Sequence, residues 1–164
     1  MIRTELLRQL GLTDEEATDT GRPLASPDDS PQRVNNRDRG EAHAAWEAIG
    51  GAHILDGRRS STEVSELMAQ TLIPMAQAWC SASVRTKEIL FRHGDAQTGG
   101  DSPAIVRDNI RYLFLHMLGE VASDADVDAM LNEVFLPTEE DHDSETAWTA
   151  VCATLVRDPL WLTY

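Results

Sequence analysis

Four sets of residues in this chain have types and spacings that could do chemistry. His43 with Glu47 and His116 with Glu120 each stand four apart. On helices each pair would face one way, and two such helices would offer imidazoles and carboxylates to a divalent cation. The ordinary alternative is a solvent contact between side chains one turn apart, and Glu120 follows Gly119, where a helix is expected to end. Glu139-Glu140-Asp141-His142-Asp143 is rich in oxygen ligands but lacks the glycine and the alternation of a calcium loop, so a solvated acidic loop is expected. Cys80 and Cys152 form no C-x-x-C or C-x-x-C-H pattern, which excludes covalent c-type haem and a thioredoxin-like pair. Buried free thiols, a mutual disulfide and a nucleophilic thiol all stay open, although neither cysteine has a nearby His or cation to lower its pKa. Phosphate-loop, nucleophile-elbow and zinc-protease patterns are absent, and no cofactor is expected.

The fourth set is the run Ile89-Leu90-Phe91-Arg92-His93-Gly94-Asp95-Ala96. It resembles the N-terminal signature of the histidine phosphatase superfamily, in which an apolar strand delivers an Arg-His-Gly turn. The resemblance implies His93 as phospho-acceptor and Arg92 as a bidentate phosphate ligand. The residue-level alternative is a polar turn ending a short helix. Helix-patterned and linker sequence precedes the run and no period-two pattern follows it, which favours that alternative.

The elements that would position these residues are helical almost throughout. Ile2, Leu6, Leu7 and Leu10 give residues 1 to 17 a short amphipathic stripe stopped by Gly11. A helix this short is marginal without packing, so it is expected to dock on the body or on a partner. Residues 18 to 39 are rich in Asp, Ser, Pro, Asn, Arg and Gly and read as a disordered linker. From 40 to 164 the apolar period is 3.6. A helix is expected around Glu41 to Ile49. A second spans Ser61 to Val84, with Val64, Leu67, Met68, Thr71, Leu72, Met75, Trp79 and Ala82 as its stripe, a Ser60/Glu63 capping-box spacing, and, because of Pro74, a kink near Gln70 to Ile73 or a break into two helices. Ser102-Pro103 opens a third, with Val106, Ile110, Leu113, Phe114 and Met117 on one face and Gly119 as its stop. Ser123 with Asp126 caps a fourth, whose stripe of Val127, Met130, Leu131, Val134 and Phe135 is expected to end at Pro137. Trp148, Val151, Cys152 and Leu155 line a fifth, stopped by Asp158-Pro159. The fold expected is all-α, an irregular bundle of about five helices with a flexible N-terminal arm.

One broader pattern accompanies these elements. Asp56-Gly57, Gln70 to Pro74 with Ala78-Trp79-Cys80, Asn109 to Leu113 through Leu118-Gly119-Glu120, and Ala147 to Cys152 with Arg157 to Tyr164 together span residues 54 to 164. This arrangement resembles the C-terminal helical domain of large uncharacterised myxobacterial and planctomycete proteins, some of them carrying cytochrome-c-like modules. The resemblance implies a helical domain without assigned catalytic residues, and a Cys80–Cys152 disulfide if the protein is exported.

Charge narrows the partners. The 164 residues hold 28 acids and 14 bases, a net charge of −14. Of these, 11 acids and one base, Arg157, lie after Arg111. Such a balance argues against nucleic acid and anionic membranes as partners, and the apolar runs are too short to span a bilayer. The N-terminus has no apolar core of a signal peptide, so a cytoplasmic location is expected. The function expected is a non-enzymatic, acidic, helical accessory module that binds another protein. The phosphatase-like use of Arg92 and His93 and the helical metal module are the alternatives.

Overall fold

The computed structural model describes residues 7–13, 16 and 66–158. The linker at 18–39, the helix at 41–49, the Ser60/Glu63 cap and the apolar tail at 160–162 lie outside the described residues, as do the side chains of Val64, Leu67, Met68, Thr71 and Leu72. Among the described residues there are five α-helices and no strand: α1 (Glu66–Thr86), α2 (Pro103–Leu113), α3 (Asp124–Ala129), α4 (Leu136–Asp141) and α5 (Ser144–Val156). None is long and apolar enough to cross a membrane.

The N-terminal segment closes as its glycine requires. Residues 7–10 are helical, and Gly11 turns left-handed at φ +67°. The amide of Leu12 reaches the Leu7 carbonyl at 2.8 Å and that of Gly11 the Arg8 carbonyl at 3.1 Å, a Schellman closure that buries Leu7 and Leu12 together. Thr13 and Glu16 then cap one another, with Glu16 N–H donating to Thr13 Oγ1 (3.2 Å) and Thr13 N–H to Glu16 Oε2 (2.8 Å). Thr13-x-x-Glu16 is thus a capping box that a reading centred on apolar periodicity passes over. The segment docks on α1: the Ser83 hydroxyl donates to the Leu10 carbonyl, and Lys87 Nζ pairs with Glu16 at 2.6 Å.

α1 runs unbroken across Pro74, so the expected break does not occur. An interior proline costs about 3 kcal/mol. Downstream the helix buries Ala76, Trp79, Cys80, Ser83 and Val84, of which the large apolar side chains, Trp79 and Val84, contribute about 1.5 kcal/mol or more each. The buried face therefore lies one residue on from the expected stripe, leaving Met75 and Ala82 at its partly buried margin.

α2 begins at Pro103 as expected, but Ser102 makes no side-chain cap. Its carbonyl instead accepts the first backbone amides, Ile105 at 3.0 Å and Val106 at 3.1 Å. The helix passes into a π-turn (Phe114–Leu118) and stops at Gly119, φ +70°. α3 carries the full Ser123/Asp126 capping box.

Pro137 does not end the next helix. A second π-turn (Met130–Phe135) precedes it, in which the Leu136 amide bonds to the Leu131 carbonyl five residues back. Such a turn shifts the ladder by one residue, and Pro137, with no N–H to place, sits in the first turn of α4. The Thr138 hydroxyl serves the Val134 carbonyl at 2.7 Å. The expected acidic loop is consequently helical over Leu136–Asp141, followed by a short turn whose Asp143 carboxylate caps α5 through the Thr146 amide at 2.7 Å.

α5 is the central element. Ala147, Trp148, Val151, Cys152, Ala153, Leu155 and Val156 are all buried, so most of its circumference faces protein. It packs chiefly on α1, and also on α4 and the second π-turn. Cys80 and Cys152 join α1 to α5 by a disulfide, S–S 2.06 Å with Cα atoms 5.7 Å apart, and both residues are fully buried. Beside it the Trp148 ring meets Phe135 and Phe91 edge-on, at 4.7 and 5.6 Å between centroids.

Candidate functional site

The Arg92-His93-Gly94 turn sits where a 3₁₀ turn (Glu88–Leu90) leaves α1. It is held from below by one buried side chain. Asn109, on α2 and 0% exposed, accepts the amides of Arg92 and His93 on Oδ1 (3.1 and 3.2 Å) and donates from Nδ2 to the Leu90 carbonyl at 3.1 Å. A loop cannot satisfy its own backbone as a helix does, and Asn109 supplies three of the missing partners. The Tyr112 hydroxyl, one turn along α2, donates to the Ile89 carbonyl at 2.7 Å.

Gly94 then reverses the chain at φ +77°, and a Cβ there would lie 2.5 Å from Thr98 Oγ1. Asp95 organises the following turn, its Oδ1 accepting from the Gln97 amide and the Thr98 hydroxyl, each at 3.0 Å. Trp148 Nε1 donates to the Thr98 carbonyl at 2.9 Å. Farther on, the Glu139 carboxylate seats against Gly99 and Gly100, accepting from the Gly100 amide at 2.8 Å and the Ser144 hydroxyl at 2.7 Å. A side chain at either glycine would collide with that carboxylate.

On the solvent side of the turn lies a cleft of about 420 Å³. Arg92, His93, Asp108 and Arg111 supply its polar lining, and Leu115, Val121 and Ala122 its apolar lining, together with Tyr112. Val121 is 89% and Leu115 52% exposed. The guanidinium of Arg111 is already engaged, by Asp108 at 3.0 Å and Asp124 at 2.7 Å. The bond to Arg111 holds the Asp124 carboxyl below its ordinary value, and the same bond raises Arg111. Arg92 forms no ion pair among the described residues, and its side chain, like the His93 ring, is exposed. Burial pushes the Tyr112 phenol up, against the opposing pull of the Arg92 charge.

The other candidates are not assembled. His43 and Glu47 lie outside the described residues. His116 is on the first π-turn, with Nε2 on the Gln9 carbonyl at 2.8 Å and its ring stacked on Tyr112 at 5.3 Å. Glu120 is exposed beyond the left-handed Gly119, so the four-residue spacing is not a helical one and the two side chains share no helix face. Among the described residues no group of three His, Cys, Asp or Glu could hold a metal ion. Sequence reasoning missed Asn109, although a polar residue amid Val106, Ile110 and Leu113 occupies a core position of the stripe and signals a buried hydrogen-bonding role. It also missed Arg111, Tyr112 and Val121, which only the fold brings beside Arg92.

No family model, curated protein or solved structure matches this chain.

Proposed function

We propose that this chain is a non-enzymatic interaction module that engages a protein partner through the cleft beside the Arg92-His93-Gly94 turn. The observation that carries this reading is the pairing of Val121 and Leu115, exposed apolar side chains, with Arg92, which has no ion pair among the described residues, in one cleft. Protein interfaces favour apolar contact ringed by polar groups, with Arg as a recurrent anchor. The Cys80–Cys152 disulfide supports an oxidising compartment over the expected cytoplasm, where disulfides are rare.

Photo-crosslinking tests the reading. With Val121→p-benzoylphenylalanine in the native cell, a discrete adduct is expected that Leu115→Glu abolishes, while the same probe at exposed Asn132 on the second π-turn gives none. No adduct at 121, or identical adducts at both positions, overturns it.

The exposure of His93 beside two arginines favours a second reading, hydrolysis of phosphate monoesters. Turnover of p-nitrophenyl phosphate that disappears in His93→Ala would establish it, and absence of turnover removes it.

A further inference from the structure

We infer that the cleft recognises a single carboxylate carried next to an apolar side chain on a peptide, and rejects dianions and polyacidic segments. The inference rests on the interaction reading above and deepens it. Local charge balance carries the argument. Arg111 is matched by Asp108 and Asp124, a triplet with net charge −1, and Arg92 brings the sum to zero. Among the described residues lining the cleft, the cation left free to meet a ligand is therefore Arg92, with His93 also in the lining. One guanidinium suits one carboxylate, in a charge-assisted contact whose fork geometry allows two parallel hydrogen bonds. A phosphate dianion would bring a second negative charge to a wall that already holds Asp108, and a polyacidic segment would also meet the field of a chain with net charge −14.

The apolar wall defines the rest of the ligand. Leu115, Val121 and Ala122 line the same cleft as Arg92, so an aliphatic or aromatic group can cover them while its carboxylate pairs with Arg92. The backbone carrying the cation is set before any ligand arrives, because buried Asn109 holds the amides of Arg92 and His93. A preset turn lowers the ordering cost of binding. Those two amides are occupied by Asn109, so recognition falls to the side chains.

The test uses the full 164-residue chain, labelled with ¹⁵N, and four probes: acetyl-Leu-Leu with a free C-terminus, acetyl-Leu-Glu-Leu-amide, acetyl-Leu-Gln-Leu-amide and acetyl-Glu-Glu-Glu-amide. Saturable amide shifts at His93, Tyr112 and Val121 are expected with the first or second, and their comparison separates a terminal from a side-chain carboxylate. Affinity for the neutral and triacidic probes is expected to be about tenfold weaker. Arg92→Gln, at an exposed position, removes the preference for the charged probe, whereas Val121→Ser weakens charged and neutral probes alike. Equal affinity for the neutral probe, discrimination that survives Arg92→Gln, or tighter binding of phenyl phosphate overturns the carboxylate assignment. In those cases an adduct at position 121 would leave the interaction reading standing. No saturable shift with any probe overturns the assignment, and if the adduct is also missing the reading falls with it.

Discussion

The seam between α1 and α5 is closed by a covalent bond and apolar side chains, whereas the Phe91–Ser102 connection between α1 and α2 is closed by hydrogen bonds from three other elements. In the seam, Ala76, Trp79, Val84, Val151, Leu155 and Val156 are buried around the disulfide. Its buried hydroxyl, Ser83, is spent on the Leu10 carbonyl. In the connection, Asn109 from α2, Trp148 from α5 and Glu139 from α4 each take up backbone groups. The difference follows from where the backbone polar groups go. Two helices satisfy their own and meet through side chains alone, while an irregular segment must borrow donors and acceptors from its neighbours. It also leaves side chains such as Arg92 and His93 free for solvent or a ligand, which is why the candidate cleft lies at the connection and not along the seam.

That contrast can be broken at either end. The largest effect belongs to the seam: replacing both cysteines by Ala opens a loop with a sequence separation of 72. Chain-entropy reasoning puts the loss at about 4 kcal/mol, readable as a lower urea midpoint. The connection should respond next, to Asn109→Ala, which strands two amides and a carbonyl. A loss of about 3 kcal/mol is expected, with amide shifts concentrated at residues 90–95 and little change in the seam. Two glycines then separate backbone strain from crowding. Gly94 and Gly119 have similar positive φ, but a Cβ at Gly94 meets Thr98 and one at Gly119 meets nothing within 4 Å. Gly119→Ala should therefore cost about 1 kcal/mol from strain alone, and Gly94→Ala about 2 kcal/mol or more, both measured by denaturant unfolding.

The smallest effect concerns the half-buried tie between the N-terminal segment and Lys87. The Lys87 side chain, then the Thr13 cap, lowers the Glu16 carboxyl to about 2. Because the folded value lies below the unfolded one, this contact's contribution is fully present above pH 4.5 and fades as pH falls toward 2. Carboxyl titration by NMR should find a low Glu16 value that rises in Lys87→Met, with slight change in global stability because the pair is only partly buried and solvent screens it.

The helical class was legible because most described helices have a stripe, a cap or a glycine stop within a few turns of sequence. Ser123 with Asp126, Pro103 and Gly119 all act where local chemistry puts them. What escaped was decided at a distance or by ladder geometry. Pro137 reads as a terminator because a regular helix needs its N–H, and the π-turn before it removes that need. Glu139 reads as solvated acid because no neighbour in sequence announces that Gly99 and Gly100 will receive it. Of the site, Arg92 and His93 were visible as a polar turn. Asn109, 17 residues from Arg92, and the apolar lining of the cleft required the fold.

The disulfide has a consequence for how the molecule behaves when cut. Everything from Cys80 to Cys152, including the exposed Arg92–Asp95 stretch, belongs to one covalent ring. A protease that clips this stretch produces two polypeptides that cannot diffuse apart, so the nicked protein keeps a single mass in non-reducing electrophoresis and separates into fragments only with a thiol. A processing event at the cleft would reshape the candidate binding surface while leaving both pieces tethered through the buried bridge.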